Sequence, residues 1–265
     1  MRRYAVETIG TFFLVFVITT TGLLGAGPAP FAIAAVLMVM VFAGGHISGA
    51  HYNPAVTIAL AVRNRFAWRD VPAYWAAQVV GALGGAMVAR YLVVDHAAAS
   101  AFTASGRGLA AAVVAELLIT FALAYVVLNV ATSKNTSGNS FYGLAIGGTV
   151  LAGALTVGGV SGGAFNPAVV VGVAAAGMLN WAMLPLYLLA QLAAGSAAGL
   201  VFRALNPGDV AEPAVDTPEV EAQLAKVTSS VEALTSAFHS LPERQTGAAT
   251  SPTRTERAEM PHGSR

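Results

Sequence analysis

Asn53 and Asn166 are the residues of this chain best placed to do chemistry. The first lies in Ser48-Gly-Ala-His-Tyr-Asn-Pro-Ala-Val56, the second in Ser161-Gly-Gly-Ala-Phe-Asn-Pro-Ala-Val169, 113 positions later. Asparagine is a favoured helix N-cap, and proline fits the first helical position, where its missing N–H would be unpaired anyway. Pro54-Ala55 and Pro167-Ala168 therefore predict short helices over about 54–62 and 167–176. A helix start concentrates partial positive charge, and an asparagine amide donates hydrogen bonds. Together they orient a neutral oxygen and disfavour a cation, without making or breaking a covalent bond.

Little else offers reactive chemistry. The sequence shows no nucleophile–base pair, phosphate-cradling loop or metal-ligand cluster, and the absence of cysteine removes disulfides and metal–thiolate sites. An enzyme is a poor reading of such a chain, and no cofactor, metal or nucleic-acid partner is expected.

The elements that must position the asparagines are membrane helices. The 265 residues are 56% hydrophobic and 10% charged, and the charges are uneven. Residues 1–205 hold nine basic and four acidic side chains, whereas the last 60 residues hold five and nine. Crossing ~30 Å of hydrocarbon takes about 20 residues of helix. Six apolar runs qualify, at roughly 4–26, 30–45, 70–94, 108–132, 141–158 and 181–204. The second and fifth are short, and each leads into an Asn-Pro-Ala segment too short to span, which predicts half-helices entering from either side. Arg2 and Arg3 ahead of an apolar stretch also fit a signal peptide. Against that, Glu7-Thr-Ile-Gly-Thr11-Phe12 is echoed by Glu116-Leu-Leu-Ile-Thr120-Phe121, so the first helix belongs to a repeat.

That repeat extends further. Trp68, Pro72, Tyr74, Gln78 and Arg90 recur at the same offset as Trp181, Pro185, Tyr187, Gln191 and Arg203. The halves run from about 1 to 95 and from 108 to 205. Three spans per half is odd, so the second half runs opposite to the first, an architecture common in transport proteins, with the site at the repeat interface. The fold class is thus an all-α membrane protein: six transmembrane helices plus two re-entrant half-helices in an inverted 3+3 repeat. Arg2, Arg3, Arg63, Arg65, Arg69, Lys134 and Arg203 fall on one side and Arg90 and Arg107 on the other, which puts both termini in the cytoplasm.

The string Gly45-His46-Ile-Ser48-Gly-Ala-His51-Tyr-Asn53-Pro54-Ala55-Val56-Thr57 resembles the first signature loop of the major intrinsic protein family, the aquaporins and glycerol facilitators. The second loop and the Glu-x-x-x-Thr-Phe starts resemble it too, over about residues 4–205. The resemblance implies a passive channel in the cell membrane for water and small neutral solutes, with Asn53 and Asn166 facing the pore. It implies a homotetramer with one pore per subunit. It also implies that Glu7 and Glu116 brace the loops before the half-helices and that His51 lines the pore.

One position departs from the family. Arginine usually follows the second Asn-Pro-Ala; this chain has Val169, matching Val56. The other constriction positions implied by the family fall on Ile33, Ala154 and Gly163. Losing a guanidinium removes five donors and a fixed positive charge, so a wider constriction and weaker cation exclusion are expected. The short segment Ala176–Asn180 is similar to the water-channel branch. Water, and with it glycerol, urea or ammonia, is the expected permeant.

Alternatives attach to the ionisable groups. Charged residues inside spans are usually paired or functional, so Glu7 and Glu116 also suit a proton- or ion-coupled transporter. His51 or His46 suits a pH gate, or simply packing. A non-conducting structural member of the same fold is a third reading. In the polar tail, 206–265, Val220, Leu224, Val227, Val231, Leu234, Phe238 and Leu241 alternate spacings of four and three. They predict a coiled-coil helix over 218–241, open to a bundle of copies, to the membrane surface, or to disorder.

Overall fold

The computed structural model describes residues 1–93, 101–209, 225–233 and 235–236. Eight α-helices follow one another in the first of two compact units, Met1–Ala211. They are α1 (Arg2–Leu23), α2 (Ala29–Ser48), α3 (Pro54–Val62), α4 (Val71–Leu92), α5 (Gly106–Thr132), α6 (Tyr142–Ser161), α7 (Pro167–Ala175) and α8 (Leu184–Leu205). Six are long and apolar enough to cross a membrane; α3 and α7, at nine residues each, are not.

Both half-helices begin at the proline that the sequence marks. The preceding asparagine is extended, and its side-chain oxygen accepts from Ala55 N or Ala168 N. The second and fifth spans are longer than the sequence reading. Gly44-Gly45 and Gly158-Gly159 remain helical, and the chain turns only at Gly49 and Gly162, whose φ values are +84° and +82°. Gly44 is needed for approach, because a Cβ there would collide with the Tyr52 phenol and Val6.

Pairing follows the repeat. In the first half α1 packs along α4 and α2; in the second α5 packs along α8 and α6. The half-helices cross over: α3 lies chiefly on α8 and α7 on α4. Each repeat therefore cradles the other's half-helix, and the Asn-Pro-Ala segments are held at the interface between halves. The approach is close because small residues line it, as expected where helices meet without a water-driven force.

In the second unit, Glu212–Arg265, the described residues 225–233 are helical, with Val227 and Val231 exposed on one side. The remainder of the helix read over 218–241 lies outside the described residues.

Candidate functional site

Each loop before a half-helix is built around one carboxylate. Glu7 Oε1 accepts from Ser48 Oγ at 2.7 Å and His51 N at 3.0 Å; Oε2 accepts from Tyr52 N at 2.7 Å and Gln78 Nε2 at 2.9 Å. Glu116 repeats the pattern with Ser161 Oγ (2.7 Å), Ala164 N (3.0 Å), Phe165 N (2.7 Å) and Gln191 Nε2 (2.7 Å). Four donors converge on two oxygens, about the full accepting capacity of an ionised carboxylate. Both glutamates are completely buried. The loop conformation explains why such a centre is needed. Ala50, Tyr52 and Phe165 have φ near +50°, and Gly163 has +67°. Such left-handed residues persist only where their surroundings over-determine them, and the carboxylates hold the backbone N–H groups on either side of these turns.

Tyr74 and Tyr187 add a second support, each phenol donating to the carbonyl of Ser48 or Ser161 at 2.7 Å. The repeat is not perfect. Gln78 also donates to Thr57 Oγ1 (3.1 Å), which in turn meets His51 Nδ1 at 3.1 Å. The second copy has Val170 and Ala164 in those places. His51 packs against both Phe66 and Tyr74, with ring centroids 4.9 Å away in each case, and those two rings touch each other at 4.5 Å.

The asparagines meet across the repeat. Asn53 Nδ2 donates to Phe165 O at 3.0 Å, and Asn166 Nδ2 donates to Tyr52 O at 2.8 Å. An amide nitrogen carries two hydrogens, so one ties the opposite loop and the other remains for a ligand. Nothing in the sequence marks this exchange, because it joins residues more than 110 positions apart whose backbone carbonyls carry no side-chain signal.

A narrow cavity of about 30 Å³ opens at this junction. Asn53, Asn166, His51 and the loop residues Ala50, Tyr52 and Ala164 supply its polar and backbone lining, and Leu14, Leu37, Val56, Leu123 and Ile146 part of its apolar wall. Ile33, Gly163 and Val169 also line it, so three of the four positions expected at a constriction come together. Ala154 does not; α6 contributes Ile146 and Val150 instead, and Ala154 lies a turn beyond Val150. Val169 is 2% exposed and presents only methyl groups. Glu7 and Glu116 are absent from the lining.

At the outer ends of the half-helices, Arg203 Nη1 meets Val62 O and Arg90 Nη1 meets Ala176 O, both at 3.3 Å. These repeat-matched arginines put positive charge where a helix end is negative. Arg63 has no counterpart of this kind, since position 176 is alanine. Its side chain is fully buried, 4.1 Å over the Phe202 ring, 3.0 Å from Thr132 O and 3.0 Å from Asp209 Oδ2. Arg65 reaches Asp209 Oδ1 at 3.4 Å, and Lys134 N donates to Oδ2 at 3.0 Å. Sequence reasoning missed this cluster by assigning Asp209 to the tail.

Burial raises the Asp209 carboxyl, but hydrogen bonds from Ser133 and Lys134 and the Arg63 charge outweigh it and hold the group below its ordinary range. A carboxylate depressed in the folded state stabilises above its unfolded value and loses that contribution as pH falls through the folded one. The stability gap between the native chain and Asp209→Asn should therefore be flat from about pH 5 to 8 and close below about pH 4. Thermal unfolding in detergent across that range checks it; a gap that changes near neutrality would contradict it.

Comparison with known proteins gives one consistent result. A family model described as Major intrinsic protein matches residues 1–156 and 137–239. Aquaporin NIP1-4 of Oryza sativa subsp. japonica is 40% identical over 206 residues, covering 75% of this chain and 74% of that one. Aquaporin NIP2-1 of Zea mays is 37% identical over 187 residues, and the match spans 63% of its length, a little under two thirds. The X-ray structure of the aquaglyceroporin from Plasmodium falciparum shares the fold, with a TM-score of 0.64 over 83% of this chain and 98% of that chain, at 24% identity.

Proposed function

This chain belongs to the major intrinsic protein family, and from that premise we propose that it is a passive membrane channel for water and small uncharged solutes such as glycerol, urea or ammonia. The observation that carries the reading is the pair of asparagines. Two half-helix starts converge on one cavity, and each amide keeps a hydrogen to offer after bonding the opposite loop. A neutral molecule with a lone pair can replace its lost water contacts there. A cation meets two positive helix ends and loses hydration without compensation. The commitment of Glu7 and Glu116 to loop backbone, outside the cavity lining, supports bracing rather than a proton relay.

Water and glycerol swelling of proteoliposomes tests the proposal. Flux with low temperature dependence and no need for an ion gradient is expected; a chain that passes no neutral solute would sink it.

Ile33, Gly163 and Val169, which line the cavity, are proposed to form the outer constriction together with Ala154, which lies one turn further along α6 and outside that lining. Val169→Arg should bring five donors and a charge into an apolar narrowing, cutting glycerol passage more than water passage. An unchanged glycerol-to-water ratio would remove Val169 from the constriction. The native setting is proposed to be the cell membrane with both termini cytoplasmic, the chain forming a homotetramer whose tail helices self-associate. Native mass measurement of the full chain against one ending at Ala211 tests both oligomer statements.

A further inference from the structure

One carboxylate just past the last span ties together three elements at one mouth of the bundle. Asp209 accepts from Arg63 and Arg65, which follow the half-helix α3, and from Lys134 N in the α5–α6 connection, while its own segment continues from α8. Its side chain is only 4% exposed, and that of Arg63 is 0% exposed. The Arg63 guanidinium lies over Phe202 of α8 and donates to the carbonyl that ends α5. The charged groups facing Asp209 are thus Arg63 and Arg65; Ser133 and the Lys134 amide complete its shell.

The arrangement is one-sided. The arginines capping the half-helix ends, Arg203 on α3 and Arg90 on α7, are shared by both repeats. The buried pair is added only to α3, because Ala176 stands where Arg63 would be in the second copy. The mouth concerned is the one that collects most of the basic residues. A half-helix of nine residues is a rigid lever: Arg63 is at one end and Asn53 at the other. Releasing the Arg63 end strands a buried cation, which seeks water and draws the C-terminal turn of α3 with it.

We propose that Asp209 is a positioning residue for conduction: by clamping Arg63 to α5 and α8 it fixes α3, and through α3 the place of the Asn53 amide in the pore. The proposal rests on the channel reading. It also makes Asp209, at the root of the polar tail, part of the pore's support.

Flux per folded channel and amide hydrogen exchange test it together. Asp209→Ala should lower water permeability per folded channel roughly fivefold and speed exchange in α3 while leaving α7 unchanged. Asp209→Glu should restore most of both. Arg63→Met combined with Asp209→Ala should also recover flux, since it removes the stranded cation along with its partner. A chain ending at Gly208 should behave as Asp209→Ala, and one ending at Ala211 as the full chain. Native flux per channel with unchanged α3 exchange in Asp209→Ala would overturn the proposal. A wild-type chain that conducts nothing would sink the channel reading instead, and α3 exchange would still decide whether the clamp holds the half-helix. Faster exchange in α3 and α7 alike would reduce Asp209 to general stability.

Discussion

Replacing Glu116 by glutamine should cost roughly 2–4 kcal/mol of stability, and replacing it by alanine should remove the folded protein. The loop geometry sets these figures. If the new NH2 takes the place of Oε2, it faces Phe165 N and Gln191 Nε2. Gln191 can turn its amide to present oxygen, but the Phe165 N–H has nowhere to turn. If the NH2 takes the place of Oε1, the Ser161 hydroxyl can rotate to accept, and Ala164 N is left facing a donor. Either choice strands one backbone N–H in a buried loop that already holds left-handed residues, at about 1–3 kcal/mol, and loses charge-assisted bonds to the rest. Alanine strands all four donors. Glu7→Gln should cost at least as much, because turning Gln78 there also breaks its bond to Thr57. Unfolding by heat or denaturant in detergent reads the difference. Glutamine variants that unfold where the native chain does would show that the carboxylates are not the fixed centres of the loops.

Much of this site was legible in the sequence because its local rules are strong. Asn-Pro places a cap and a first helical residue, so the starts of α3 and α7 follow from two residues each. The repeat offset then places the partner residues Tyr74/Tyr187 and Gln78/Gln191 in matched settings. Other features had no local signature. The second and fifth apolar runs read as ending at 45 and 158, among the glycine pairs, yet the helices continue to Ser48 and Ser161, since small residues are tolerated where apolar helices pack closely. The turn is made by the next glycine, at 49 and 162, where φ is positive. The cross-repeat bonds of the asparagines use backbone carbonyls, whose position depends on two loops meeting in space. Asp209 looked like part of a polar tail because its arginine partners are 144 and 146 residues earlier. Charge composition marks where a tail begins only if none of its first charges is buried.

Gly195→Val should prevent α3 from seating, and with it the folded channel. A Cβ at Gly195 would stand 2.2 Å from Ala55 O and 2.9 Å from Ala55 C. Ala55 is the second residue of the half-helix, so the obstacle is the backbone next to the pore rather than a side chain that can turn aside. Overpacking costs about 1–3 kcal/mol where side chains can adjust, and more where backbone must shift. Even Gly195→Ala should therefore lower the folded fraction and the flux of what folds. The other repeat makes the same close approach with the roles exchanged. Ala82 and Ala59 stand where the repeat offset puts Gly195 and Gly172, so there the glycine is on the half-helix. A Cβ at Gly172 would meet Val15 Cγ1 at 2.7 Å and Ala82 O at 3.1 Å, a contact that rotation of Val15 partly relieves. Gly172→Ala should accordingly be milder than Gly195→Ala. Gly148→Ala should be harmless or stabilising by up to about 1 kcal/mol, since a Cβ there meets nothing within 4 Å and alanine is the better helix former. Folded yield and swelling rate across the three alanine variants establish the order. If Gly195→Ala matched Gly148→Ala, α3 would be free to move against α8, and the position of Asn53 would be set by its loop alone.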